Sequence, residues 1–193
     1  MKASELPGET PLTEEEKEGL IPDHITTVEE LNAWEAANIL RAQPWAFRRH
    51  HNDLLTDRFV QKLHKKMFDQ TWAWAGKYRR SDKSIGIHWR DVPVQVRELL
   101  MNIEAWKESS VYSADEISAR AHHQMVAIHP FSNGNGRHAR MFANMLLRQL
   151  GGKRFTWGRA NLHREGEFRS AYIDALRAAD KGDIRPLLAF ARS

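Results

Sequence analysis

The sequence predicts an all-α fold, a mainly α-helical bundle with one small β-hairpin. Two capping boxes, Thr27–Glu30 and Ser113–Glu116, mark the starts of helices. Apolar residues recur at helical spacing through most of the chain. Only residues 85–89 alternate apolar and other side chains as a half-buried strand does. The chain has 193 residues, of which 41% are hydrophobic, and this is enough for one domain with a buried core.

Residues 1–25 are predicted to form an acidic N-terminal arm that precedes a helical domain at residues 26–193. Three prolines and little periodicity mark the arm. Residues 1–20 hold six acidic residues and two lysines, a net charge of −4. The whole chain has a net charge of +4, so residues 21–193 carry +8. The arm either folds over this basic body or stays a solvated tail.

The N-terminal half of the domain is expected to contain two helices and the hairpin. The first helix covers residues 28–41 after the Thr27 cap, and Pro44 is expected to end it. The second follows a Thr56 cap and carries an apolar stripe of Phe59, Val60, Leu63, Met67 and Phe68. The alternating stretch places a short strand or hairpin within residues 78–90.

Five further helices are expected after the hairpin, over residues 93–106, 114–128, 140–150, 167–179 and 184–191. Pro93 suits the first turn of a helix, and Ser113 is a cap. Pro130 ends the fourth helix of the chain, and two glycines follow the fifth.

Composition excludes several classes of protein. The absence of cysteine excludes disulfides, thiolate zinc sites and a cysteine nucleophile, and it fits a reducing cytoplasm. No apolar run approaches the roughly 18 residues of a membrane span, and a secretory signal is not expected, because no apolar stretch follows the single early Lys. His122 and His123 point apart on a helix, which disfavours a zinc site. The basic stretches 48–51 and 62–66 lack aromatic interleaving, which disfavours nucleic-acid binding.

The stretch HPFSNGNGRHAR, residues 129–140, carries the clearest chemical signal. Gly134 and Gly136 permit a sharp turn and the close approach of a ligand just before a helix. Free N–H groups and the helix dipole favour an anion there. Arg137 and Arg140 are three residues apart and share a helix face beside this turn. The pattern therefore suits a polyphosphate.

His129 lies at the other end of the same turn. An imidazole with an ordinary pKa of about 6.5 can take the proton of a hydroxyl that attacks a bound phosphate. Asn133 offers an amide oxygen to a cation that accompanies the phosphate. On the pattern alone, an ordinary helix–turn–helix with a glycine cap fits equally well, and this alternative stays open.

The same stretch resembles the signature of the Fic (Fic/Doc) family, His-Pro-Phe-x-x-Gly-Asn-Gly-Arg-x-x-Arg, at all eight specified positions. Residues 74–79 resemble the Trp-Ala-Gly-x-x-Arg segment of the family, and residues 175–183 resemble its closing helices. The resemblance covers about residues 55–190. The N-terminal stretch and the length are similar to the Fic subgroup called mobile mystery protein B.

The resemblance implies a Fic-like helical bundle that transfers AMP from ATP, with Mg²⁺, to a Ser, Thr or Tyr hydroxyl of a target protein. His129 would be the general base. The phosphates would bind at Asn133, Gly134, Asn135, Gly136, Arg137 and Arg140. Asn133 would be a weak Mg²⁺ ligand, because family members that transfer AMP usually have Asp or Glu there. A flap that contains Ile85, Gly86 and Ile87 would dock the target chain by edge pairing.

Two other functions stay open. Doc-type relatives transfer the γ-phosphate, but they have Lys after the signature Asn, so Gly136 and Arg137 favour AMP transfer. A non-catalytic regulator that binds a nucleotide or a partner would have lost turnover through Asn133. The resemblance also implies a bacterial, cytoplasmic protein that a small antitoxin or regulator controls. Glu30, in Thr26-x-x-x-Glu30, is a candidate inhibitory glutamate, although its place in a capping box already explains it.

Overall fold

A computed structural model describes residues 12–48, 50–158 and 165–193. Eight α-helices lie within these ranges: Glu14–Glu18 (α1), Val28–Arg48 (α2), Asp57–Phe68 (α3), Val92–Ser109 (α4), Ala114–Ile128 (α5), Asn135–Gln149 (α6), Glu165–Asp180 (α7) and Arg185–Arg192 (α8). One turn of 3₁₀ helix, Trp89–Asp91, precedes α4. The all-α prediction is confirmed. No helix in the described ranges is long and apolar enough to span a membrane.

The core lies around the antiparallel neighbours α5 and α6, which the 129–134 turn connects. Helix α3 packs against both α2 and α6, while α4 covers α5. Helices α7 and α8 pack together, and α8 also contacts α5. Phe131 is fully buried among these helices, so the turn itself is anchored in the core.

The predicted helix caps form as the sequence indicates. The Thr56 hydroxyl accepts a hydrogen bond from the Phe59 N–H at 3.1 Å, and Ser113 accepts one from the Glu116 N–H at 3.2 Å. Each cap satisfies one of the N–H groups that a helix start leaves without a partner. The local sequence therefore determines where α3 and α5 begin.

The predicted end of the first long helix at Pro44 is wrong. Helix α2 continues through Pro44 to Arg48. Proline costs a helix one hydrogen bond, but Pro44 lies on the exposed side. Ala42 and Ala46 on the opposite side are buried in the core, and this packing holds the last turns in helical form.

Helix α6 begins five residues earlier than the predicted start at Arg140. Its cap is Gly134, which takes the left-handed conformation with φ 77°. Asn135 and Gly136 therefore belong to the first turn of the helix, and Arg137 and Arg140 both project from it. The anion-binding geometry expected at a helix start coincides with the predicted phosphate-binding residues.

The predicted β-hairpin is wrong, because residues 78–90 contain no strand. The backbone carbonyls of Ser81 and Ile87 accept hydrogen bonds from the Arg79 guanidinium instead of a partner strand. Gly86, with φ 100°, lies within a bend of the chain. Residues 80–88 thus form an irregular loop, called here the flap loop.

Residues 12–25, within the predicted arm, pack against the helical body, and residues 1–11 lie outside the described ranges. The N–H of Ala73 donates to the carbonyl of Gly19 at 2.8 Å, and the N–H of Ile21 donates to the carbonyl of Thr71 at 2.9 Å. Helix α1 lies beside the flap loop, where Glu16 forms a mostly buried ion pair with Lys83.

Candidate active site

His129 ends α5 in a left-handed conformation, with φ 55° and ψ 60°. This conformation costs a residue other than glycine of order 1–3 kcal/mol, so the surrounding contacts must stabilise the backbone of His129. Its N–H donates to the Met125 carbonyl at 3.2 Å, which closes the helix. Its side chain turns inward, and the residue is only 6% exposed.

Burial lowers the pKa of His129 to about 4, because a charged imidazole would lose its hydration. The positive charges of Arg79 and Lys83 lower this pKa further, and a hydrogen bond with the Val126 backbone partly opposes them. The imidazole is therefore neutral at pH 7. A neutral imidazole can accept a proton, as a general base must.

The turn after His129 is braced by the side chain of Asn135. Its Oδ1 accepts from the Phe131 N–H at 2.8 Å, and its Nδ2 donates to the Phe131 carbonyl at 2.7 Å. Asn135 is buried, and its side-chain amide makes these two bonds. Its contribution to an anion site is therefore its backbone N–H.

The first turn of α6 presents N–H groups that no helical carbonyl can accept. They belong to Asn135, Gly136 and Arg137, and the helix dipole adds positive potential at the same point. A Cβ atom at Gly134 would lie 2.5 Å from the Phe68 ring, whereas one at Gly136 would approach only the Tyr172 hydroxyl, at 3.8 Å. The turn is thus packed tightly against Phe68 at Gly134, whereas there is open space beside Gly136.

Asn133 is held by a histidine that the sequence analysis did not single out. The Nε2 of His64 donates to the Asn133 carbonyl at 3.0 Å, while its Nδ1 accepts from the Gly76 N–H at 3.0 Å. Burial holds the pKa of His64 well below its usual range, so the ring stays neutral. Its position on the buried stripe of α3 was the only sequence signal for this role.

Asn133 also offers the oxygen predicted for Mg²⁺. Its Oδ1 accepts from the Gly134 N–H at 2.6 Å, which leaves one further lone pair. The described ranges contain no group of three His, Asp or Glu that could hold a metal ion. This donor set fits a cation that arrives with a polyphosphate, and it does not fit one held by protein alone.

Arg137 is paired with a buried glutamate. Its Nη2 lies 2.7 Å from Oε2 of Glu35, and Oε1 of Glu35 accepts from the Trp72 indole N–H at 2.7 Å. Glu35 is 1% exposed, whereas the Arg137 side chain keeps 30% of its surface exposed. The guanidinium has five N–H donors, so it retains donors for a ligand. Arg140 stacks over the Tyr172 ring at 5.5 Å.

Glu30, the predicted inhibitory residue, lies at the start of α2 and is exposed. The carboxylate accepts from the N–H groups of Thr26 at 2.8 Å and Thr27 at 3.0 Å. It therefore completes the capping box, and the glutamate at Arg137 is Glu35. The signal for Glu35 was a charged residue within the buried stripe of Leu31, Asn38 and Ala42.

The flap loop lies against His129. A Cβ atom at Gly86 would be 2.5 Å from the Cβ of His129. Ile85 is 41% exposed, while Ile87 packs partly on the core. The structure thus brings the predicted flap residues, the predicted base and the predicted phosphate turn into one region.

The chain is similar in sequence to known proteins. The profile described as the Fic/DOC family matches residues 54–147. The protein adenylyltransferase Fic of Aedes aegypti is 31% identical over 143 residues, which is 72% of this chain and 27% of that protein. The Drosophila melanogaster protein of the same name is 30% identical over 140 residues, or 70% of this chain and 27% of the relative. The chain thus spans about a quarter of the length of these relatives.

Solved structures show the same fold. The BepC protein of Bartonella tribocorum with bound AMPPNP superimposes with a TM-score of 0.70 at 16% identity, over 93% of this chain and 97% of that one. A Fic domain from Bartonella quintana with bound ADP gives a TM-score of 0.66 at 19% identity, over 88% and 86%. These likenesses concern the fold.

Proposed function

Residues 54–147 belong to the Fic/DOC family, and on this basis we propose that the protein is a protein adenylyltransferase, which transfers AMP from ATP to a hydroxyl of a target protein. The single observation that carries the proposal is the short turn 129–134. It joins a neutral, buried imidazole to a helix start that presents free N–H groups and two arginines. The relatives named protein adenylyltransferase Fic support this reading.

ATP would bind by its phosphates at the start of α6. Backbone N–H groups of Gly136 and Arg137 would cradle them, and the helix dipole would add to the attraction. The free donors of Arg137 and the guanidinium of Arg140 would hold the distal phosphates. The bound AMPPNP and ADP in two related structures support a nucleotide as the ligand.

His129 would act as the general base. It takes the proton of a Ser, Thr or Tyr hydroxyl while the hydroxyl oxygen attacks the α-phosphorus of ATP. The new bond joins the target oxygen to the α-phosphorus, and the bond from the α-phosphorus to the bridging oxygen breaks. Pyrophosphate leaves with the electron pair of that bond. When bound, Mg²⁺ neutralises phosphate charge, and Asn133 Oδ1 would be its one side-chain ligand.

The target would dock on the flap loop. An extended segment of the target would bind to backbone groups of Ile85, Gly86 and Ile87. Recognition of this kind depends on the main chain of the target more than on its side chains. The close packing of Gly86 on His129 supports this placement, since a segment bound there would bring its hydroxyl to the base.

Two alternatives stay open, a Doc-type phosphotransferase and a regulator that binds a nucleotide without turnover. Asn133 favours the regulator, because a neutral amide binds Mg²⁺ more weakly than a carboxylate. Arg137 and the neutral His129 support the enzyme, because a binding module needs no base. A bacterial cytoplasmic location and control by a small antitoxin or regulator stay predictions from the sequence.

One labelling experiment separates these functions. The purified protein and the His129→Ala variant are incubated with Mg²⁺, a cell lysate and ATP labelled at either the α or the γ phosphate. The proposal expects protein-bound α label that disappears in the variant. Label from the γ position alone would indicate a phosphotransferase, and the absence of His129-dependent label would indicate a binding module.

A further inference from the structure

Arg79 has a fully buried, charged side chain that donates hydrogen bonds to backbone carbonyls of two segments and also lies 3.7 Å from the Asp82 carboxylate. Its Nε donates to the carbonyl of His129 at 2.7 Å, and its Nη2 lies 3.4 Å from that of Ile128. On its other side, Nη1 donates to the carbonyl of Ser81 at 2.9 Å, and Nη2 donates to that of Ile87. One guanidinium therefore links the end of α5 to both ends of the flap loop.

A planar guanidinium is suited to this task because its five donors have a fixed mutual geometry. A lysine ammonium has three donors on a flexible stem and cannot hold four carbonyls in one plane. The backbone N–H of Arg79 also donates to the Pro130 carbonyl at 3.0 Å, so main chain and side chain hold the same turn. These contacts also explain how His129 keeps its left-handed backbone conformation.

We propose that Arg79 is the positioning residue that fixes His129 and the flap loop relative to each other, so that a docked target hydroxyl meets the base. The inference rests on the proposed function and adds a residue to it. Arg79 itself does not touch the reacting atoms. Its loss would separate two events that the wild type couples, namely binding of the target segment and removal of its proton.

The charge of Arg79 gives the proposal a second, electrostatic readout. Arg79 and Lys83 are the cations that face His129; Asp82 lies 3.7 Å from Arg79, and Glu16 pairs with Lys83. The Asp82 side chain is 59% exposed, so solvent weakens its compensation of the Arg79 charge. Replacing Arg79 with a neutral residue therefore raises the pKa of His129, whereas replacing it with lysine leaves that pKa near its wild-type value.

The test compares Arg79→Lys, Arg79→Gln and the control Arg80→Gln, whose side chain is exposed on the same loop. Thermal unfolding first establishes the temperature range in which each variant is folded. Within that range, transfer of α label is measured against target concentration and pH. We expect both Arg79 variants to lose at least tenfold in transfer and to need more target for half-saturation, with ATP affinity within twofold of wild type. Arg80→Gln should match the wild type.

Only Arg79→Gln should move the acidic limb of the pH profile to higher pH. A purely structural role would lower activity in both variants in proportion to the unfolded fraction and would leave the limb in place. Wild-type transfer by folded Arg79→Gln would overturn the proposal. If Arg79→Gln does not fold, Arg79→Lys, which keeps the positive charge, provides the test, and wild-type transfer by folded Arg79→Lys would contradict the proposal.

Two measurements without nucleotide separate this inference from the proposed function. NMR titration of the His129 ring should show a higher pKa in Arg79→Gln than in the wild type. Amide hydrogen exchange of residues 81–88 should accelerate at least tenfold in both Arg79 variants. If these effects occur but the wild type transfers no label, the proposed function fails and the positioning role stands. If neither effect occurs, the positioning role fails whatever the reaction is.

Discussion

Glu35 on α2 and Arg137 on α6 form an ion pair, with 2.7 Å between Oε2 and Nη2. The pair joins a helix outside the matched segment 54–147 to the arginine nearest the start of α6. A negative charge thus lies beside the proposed phosphate site, where it lowers the positive potential that a polyphosphate would meet. Helix α2 is in this way part of the site's electrostatics as well as part of the core.

The Glu35→Gln variant should bind ATP more tightly than the wild type. Glutamine can still accept from the Trp72 indole, but it removes the negative charge beside Arg137. We expect the Kd for ATP to fall about threefold to tenfold, an effect of about 1 kcal/mol. Isothermal titration calorimetry measures this directly.

Glu30→Gln is the matched control, because that carboxylate caps α2 and does not contact Arg137. It should leave ATP affinity unchanged. Weaker binding by Glu35→Gln would mean that the pair orients Arg137 for the phosphates, and tighter binding by Glu30→Gln would restore Glu30 as the inhibitory residue.

Transfer should be nearly independent of pH from about 8 down to about 5.5, because the pKa of His129 is about 4. Only the neutral ring can act as a base, so activity is lost as the pH falls towards the folded pKa. A histidine with its ordinary pKa would lose half its activity near pH 6.5 instead. Initial rates of α-label transfer at constant ionic strength distinguish the two profiles.

Protein stability limits the acid end of this profile. Burial lowers the pKa of His122 to about 3 and that of His138 to about 4. The unfolded state therefore binds more protons than the folded state between pH 6.5 and 4. The free energy of unfolding decreases as the pH is lowered through this range. Circular dichroism at each pH confirms that the rates belong to folded protein.

Gly86→Ala should impair transfer at least tenfold. Its Cβ would lie 2.5 Å from the Cβ of His129, and the φ of 100° strains any L residue. Gly151→Ala is the matched control, since its φ is 80° but a Cβ there would meet nothing within 4 Å. The control should lose stability by about 1 kcal/mol and keep its activity.

The clash at His129 is the difference between these two variants. Equal activity of Gly86→Ala and Gly151→Ala would show that the flap loop moves away from His129 at little cost. The prediction that Gly86 holds the loop on the base would then be wrong.

Asn133→Asp should reduce the Mg²⁺ concentration that gives half-maximal transfer. Aspartate keeps the oxygen that accepts from the Gly134 N–H and adds a negative charge for the cation. We expect at least a threefold reduction, measured by titrating Mg²⁺ at fixed ATP. An unchanged requirement would indicate that the phosphates alone hold the ion and that the site works as it stands.

Local signals made most of the helical fold predictable. Caps at Thr56 and Ser113 act through hydrogen bonds within three residues, so the sequence contains everything they need. The predicted helix end at Pro44 was wrong because the hydrogen bond that proline removes is outweighed by the packing of Ala42 and Ala46. This packing depends on other helices. The hairpin prediction was wrong because the Ile87 carbonyl, within the alternating stretch, accepts from Arg79 and not from a partner strand.

The local structure of the turn was predictable from the sequence, whereas the residues that contact the turn were not. The turn from His129 to Arg140 carries its own glycine and asparagine signals, and it folds as those residues require. Glu35 and His64 reach the turn from helices distant in the chain. Each carried only the weak signal of a polar residue on a buried stripe, so tertiary packing decides its role.

If the protein transfers AMP with His129 as the base, the chemical mass of the adduct shows this most directly. Labelled protein from the lysate is digested, and the modified peptide is identified by mass spectrometry. The wild type and His129→Ala are compared at ATP concentrations that give both proteins the same nucleotide occupancy. We predict a single adenosine monophosphate on a Ser, Thr or Tyr side chain in the wild-type sample and none in the variant. A phosphoryl adduct, or an AMP adduct that persists in His129→Ala, would contradict the claim.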